Sequence, residues 1–320
     1  MTSCAYVAQL VYSREGGVFM IQRWWIYIWE VYLPISRIAA CMLLYGGVMF
    51  LYQAGLDRSP LILTPDMLPG VITLALMFLY YRIQDEFKDR ETDQRFFPHR
   101  PVPSGRVTFA DLTALMWFNF AALVALNLIW GGAVGMFLVF FCFSLLMHKW
   151  FFLEKIISQN RLIALATHGP FGFISNLFVV AIFANRYGTA LLCSEGILAA
   201  LWFSLGGFYW DIGRKTRAPH EEMQGYQTYS SIIGHRGASA LALGFVCLQG
   251  LLLAWLPVSR LYAGGFALLT LAYAAIFAGF LLKPGRGSKH LQLVTEIFSC
   301  AVMIGMIIDL AISRGMAWMP

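Results

Sequence analysis

The chain has 320 residues, of which 59% are hydrophobic and 12% charged, and its mean hydropathy is +0.67. Soluble globular domains are nearer about 45–50% apolar. The apolar residues also fall in runs long enough to cross a bilayer as helices, rather than in the alternating segments of a membrane barrel. A net charge of +6 requires no nucleic-acid partner, because basic loops beside a membrane account for it.

In chain order, residues 1–17 carry Arg14 and Glu15 without an early apolar core, so no cleavable signal peptide is expected. Residues 18–32, VFMIQRWWIYIWEVY, are rich in Trp and Tyr and predict a helix lying in the membrane interface. Nine apolar segments follow, at 33–54, 67–84, 108–129, 132–148, 162–184, 190–211, 237–257, 262–282 and 291–312. They predict an all-α polytopic membrane protein of nine transmembrane helices in one domain, residues 1–320, with 1–32 as an interfacial N-terminal segment. On that count 18 of the Lys and Arg residues fall on the side of the N-terminus and four on the other. The bias places the N-terminus and the long polar loops in the cytoplasm. The six cysteines, at 4, 41, 142, 193, 247 and 300, form no CxxC pair. They read as small buried apolar residues rather than as a disulfide or zinc framework.

Two polar loops, 85–107 and 211–236, fall on that same side. The first begins QDEFKDRETD, with Asp85, Asp89 and Asp93 spaced i, i+4, i+8. If the second span continues as a helix, all three share one face. Stacked like charges at a membrane are costly without a cation, and oxygen-only ligands suit Mg²⁺, which is typically held by one or two carboxylates plus substrate phosphates. The bland alternative is a charged collar of surface ion pairs. The following RFFPHRPVPSGR stops the helix at its prolines and supplies Arg95, Arg100 and Arg106 for phosphate oxygens. The second loop mixes Asp211 with Arg214, Lys215, Arg217, Glu221, Glu222, Tyr226 and Tyr229. Two such loops at one face predict a joint site for Mg²⁺ and a diphosphate whose apolar remainder lies among the spans.

Gln84-Asp85-x-x-x-Asp89-x-x-x-Asp93, followed by Arg100-Pro101-Val102-Pro103-Ser104-Gly105, resembles the UbiA superfamily of intramembrane prenyltransferases, with Gln84 in place of the usual Asn. The resemblance implies a helical bundle around a central cavity, and Mg²⁺ ions bridging two acidic motifs to an isoprenyl diphosphate such as geranyl, farnesyl or geranylgeranyl diphosphate. It implies Asp85, Asp89, Asp93 and Asp211 as metal ligands. The diphosphate would meet Gln84, Arg95, Arg100, Arg214, Lys215, Arg217 and Tyr229, and the catalytic set would be Asp85, Asp89, Lys149 and Lys215. The second loop departs from the family's DxxxD repeat. Either Glu221 or Glu222 supplies its second acid after an insertion, or Lys215 replaces that acid and binds diphosphate directly.

Ionisable residues inside spans are functional suspects: Arg37, Asp111, His168, Glu195 and Asp309, with Asn176 eight residues after His168. The leading expectation is transfer of a prenyl group to an aromatic or other small acceptor. The alternative is a UbiA-type terpene cyclase that folds the same cation on itself. A transporter or lipid-binding protein is disfavoured, because the charges cluster at one face instead of at midplane.

Overall fold

The computed structural model describes residues 19–65, 67–130 and 132–319. Most of the predicted interfacial segment, residues 1–18, lies outside them, as does Cys4. The remainder forms helix α1 (Met20–Tyr27), extended by a wider turn over Ile28–Tyr32. Phe19, just before α1, and Ile21 and Trp25 on it are exposed, while Tyr27 is fully buried. An amphipathic helix on the membrane surface has this pattern.

All nine apolar segments are helical. They are α2 (Pro34–Gly55), α3 (Met67–Lys88), α5 (Phe109–Ile129), α6 (Val134–His148), the pair α8 (Arg161–His168) and α9 (Pro170–Tyr187), α10 (Ser194–Lys215), α11 (Tyr229–Leu252), α12 (Arg260–Leu282) and α13 (Lys289–Arg314). Between them, α4 spans Arg90–Phe96 and α7 spans Glu154–Ile157. Seven of these helical segments are long and apolar enough to cross a membrane. Of the other two, α6 is a 15-residue helix, and α10 has the length but carries Glu195, Asp211, Arg214 and Lys215.

The helices close into a ring. Each packs on the next in the order α3, α5, α6, α9, α10, α11, α12, α13, and α13 returns to α2, which meets α3. Helix α10 also touches α2 and α13. Because neighbouring helices surround it, a helix with ionisable ends avoids lipid. Large apolar side chains such as Leu261, Leu268 and Ile312 are instead exposed on the outside, where lipid replaces water. Three cysteines reverse their expected placement: Cys41 is buried, but Cys142, Cys247 and Cys300 are on this outer surface.

Close approach at the centre depends on small residues, as in other membrane bundles. A methyl group at Gly47 would overlap the Phe203 ring, and one at Gly70 would overlap the Tyr45 ring. Gly70→Ala should lower stability by about 1–3 kcal/mol through overpacking. Gly244→Ala, where the space is open, should leave it unchanged or slightly higher. Thermal unfolding in one detergent separates the two, and equal melting would refute this packing.

At the end opposite the polar loops, β1 (Leu61–Leu63) pairs in parallel with β2 (Met316–Trp318). This ties the segment after α2 to the chain after α13, a long-range pairing with no local sequence signal.

The suspect residues inside the spans mostly serve the fold. Asp111 caps α5 through Thr108 and pairs with Arg23 of α1 at 3.3 Å. Asp309 accepts from the Ser259 backbone N–H at 3.0 Å and from its hydroxyl. Asn176 bonds the Ala200 carbonyl (3.1 Å) and the Ser204 hydroxyl (3.2 Å) across to α10. Glu195 lies in the first turn of α10, against Gly55. Arg37 Nε donates to the Tyr32 carbonyl.

Candidate active site

The predicted face of three aspartates is interrupted. Helix α3 ends at Lys88, and Asp89 leaves the helical region (φ −95°, ψ 14°) before α4 begins. The backbone bonds from Asp89 N to Asp85 O (2.8 Å) and from Asp93 N to Asp89 O (2.7 Å) survive the bend. Asp85 and Asp89 remain partly exposed neighbours, but Asp93 is buried and bound by Arg100 at 2.9 Å. Burial raises the Asp93 carboxyl above its usual range, and Arg100 opposes that rise. The Arg100 guanidinium also lies 3.9 Å over the Phe97 ring. Asp93 and Arg100, expected at the metal and the diphosphate, are paired with each other in the loop. Arg95 covers Phe96 and abuts Gly225 of the second loop, while Tyr226 packs on Phe96 and Phe97. The two polar loops thus touch.

The second cluster is built on the last turn of α10. Asp211 accepts from Lys215 Nζ at 2.6 Å and from the Tyr229 hydroxyl at 2.5 Å, with Arg214 at 3.5 Å. Asp before Lys at i, i+4 is the favourable order on a helix. The Asp85 and Asp211 side chains are each 24% exposed, enough for a ligand to reach them. Two groups that sequence reasoning missed lie in the electrostatic field of both clusters. Tyr81 interacts electrostatically with both Asp85 and Asp211. Arg161, at the start of α8, lies in the field of the Asp211 and Asp89 carboxylates. The field of Lys215 also reaches Asp85. Tyr81 was legible as the residue one turn before Asp85 on the same face. Arg161 is brought in only by tertiary packing.

A third cluster surrounds Lys88, the last residue of α3. Its side chain is 6% exposed; Nζ lies 3.9 Å from Asp85, 3.1 Å from His168 Nε2 and 4.0 Å from the centre of the Trp150 ring. Because lysine only donates, His168 accepts at Nε2, leaving Nδ1–H to donate to Thr167 Oγ1 at 3.0 Å. Trp150 and Phe151 set their rings edge-on to His168. Trp150, Phe151 and Phe152 all have positive φ (51°, 51° and 61°), backbone strain of the kind found around functional sites.

The other expected residues lie elsewhere. Gln84 is buried and accepts from Ser144 across to α6 at 2.9 Å. Lys149 is exposed. Arg217 closes the end of α10 on the Arg214 and Thr216 carbonyls. Glu221 and Glu222, the alternative second acids, are both hydrogen-bonded to neighbouring loop groups. Glu221 accepts from the Ala218 and Ser288 backbone N–H groups (2.9–3.0 Å), and Glu222 accepts from the Thr228 hydroxyl (2.8 Å). Burial acts to raise the Glu221 carboxyl, but these backbone donors outweigh it and hold it below its usual range. Among the described residues no three His, Cys, Asp or Glu side chains are grouped to hold a metal by themselves. The two adjacent carboxylates of Asp85 and Asp89 nonetheless suit Mg²⁺ that shares its shell with phosphate oxygens.

No protein-family model matches the chain, and no curated protein matches it in sequence. Its structure is similar to that of a digeranylgeranylglyceryl phosphate synthase, a membrane enzyme, with a TM-score of 0.58 and 16% identity over 90% of this chain and 99% of that one. The chain is a multi-pass membrane protein with the fold of that synthase.

Proposed function

We propose that this protein is a Mg²⁺-dependent intramembrane prenyltransferase acting on an isoprenyl diphosphate. The observation that carries the reading is the contact between the two polar loops, through Arg95 against Gly225 and Tyr226 on Phe96 and Phe97, with Asp85 and Asp89 on one loop and the Asp211–Lys215 pair on the other. The fold shared with a prenyl-transferring synthase supports it. The basic-residue bias of the loops supports a cytoplasmic site and N-terminus.

Asp85 and Asp89 would hold the metal, which when bound supplies positive charge to the departing diphosphate. Lys215, Arg214 and Arg161 offer donors to diphosphate oxygens, and the forked guanidinium groups match that geometry. Tyr229 fixes Asp211, which in turn orients Lys215. Toward the bundle interior, Tyr81 stacks on Phe171 (5.1 Å), and Phe171 meets Phe140 (5.0 Å) and Phe78 (6.0 Å). These rings supply an apolar wall for the prenyl chain, exclude water, and stabilise an allylic cation through their faces.

Purified protein given Mg²⁺ and geranyl, farnesyl or geranylgeranyl diphosphate should turn over only when an acceptor from an aromatic and small-molecule panel is added. A discrete cyclic terpene formed without acceptor would instead make it a cyclase using the same ionising site. Lys88→Met should reduce kcat/KM for the prenyl diphosphate by roughly tenfold, as expected for one charge-assisted contact. An unchanged value would confine Lys88 to a structural role.

A further inference from the structure

Resting on the diphosphate-site reading, we propose that this enzyme holds one Mg²⁺, at Asp85 and Asp89, and that fixed cations on and beside α10 replace a second. The family resemblance implies a metal on each acidic motif, but the residues around Asp211 do not fit one. Mg²⁺ demands oxygen ligands in near-octahedral array. The residue one turn after Asp211 is Lys215, whose ammonium has no lone pair to offer and lies 2.6 Å from the carboxylate. Tyr229 takes the other carboxylate oxygen, and Arg214 stands 3.5 Å away. The remaining acids of the loop are engaged at Ala218, Ser288 and Thr228. A divalent ion placed at Asp211 would face Lys215, Arg214 and Arg161 with one carboxylate to offset them.

The same cations suit a diphosphate that is only half neutralised by metal. Arg214 Nε is a buried donor with no hydrogen-bond partner among the described residues, and a buried donor left in that condition favours an acceptor. Lys215 thus stands where a DxxxD repeat would place its second acid, and it delivers one charge directly to the substrate where an acid would deliver charge through a metal.

The test is a count of bound Mn²⁺ on the full chain in detergent, by equilibrium dialysis with inorganic diphosphate and by electron paramagnetic resonance. The expected result is one Mn²⁺ per chain with no Mn–Mn coupling. Lys215→Asp, which rebuilds the repeat, should bind two that are spin-coupled. Lys215→Met should keep the count at one while weakening diphosphate binding roughly tenfold. Two coupled Mn²⁺ ions in the unaltered chain would overturn the one-metal proposal and leave the prenyltransferase reading standing. No diphosphate-dependent Mn²⁺, together with no binding of farnesyl diphosphate, would overturn both.

Discussion

Replacing Asp85 and Asp89 together by Asn should lower diphosphate release from an isoprenyl diphosphate by roughly a thousandfold or more. Single preorganised groups that stabilise transition-state charge are each worth about 10²–10³, and here both carboxylates proposed to hold the metal are lost. The amide is isosteric, and Lys88 keeps His168 and Trp150 as partners at 3.1 and 4.0 Å, so the variant should still fold. Monodisperse elution and near-native melting would establish that. Equal turnover of variant and parent would remove the basis for a metal site in the first loop.

Arg161→Met should have the next largest effect. Arg161 lies in the field of both Asp89 of the first loop and Asp211 of the second, so its loss removes a proposed diphosphate donor and leaves two carboxylate groups less balanced. A fall of about a hundredfold in kcat/KM is expected, comparable to loss of one oxyanion donor. Arg161→Lys should recover only part of it, because an ammonium lacks the planar fork. Full activity in Arg161→Lys would show that charge alone is needed there. Full activity in Arg161→Met would remove the residue from the site.

How far the sequence reaches is seen residue by residue. The nine helices were legible because membrane helices must satisfy their backbone internally, and a continuous apolar run betrays them. Helix α10 was legible as a segment. Its central position, which shields Asp211 and Lys215 from lipid, was not. Asp85 and Asp89 were legible from spacing, whereas the bend at Asp89 and the Arg100 contact that withdraws Asp93 depend on how the proline-rich segment folds back. Glu221 and Glu222 had the right chemistry and a suitable distance in the chain. Only tertiary structure shows that Ser288, 67 residues after Glu221, claims one of them. Arg161 sat among ordinary basic loop residues, and its proximity to both clusters is a product of packing that no local pattern encodes.

The most direct test of the central claim is the rate of diphosphate release from farnesyl or geranylgeranyl diphosphate by the purified chain, with an acceptor panel present, in Mg²⁺ and after chelation. The account predicts release that requires Mg²⁺ and returns when the metal is restored. Release at the same rate in the chelator, or bound substrate that is never ionised with any acceptor, would contradict it.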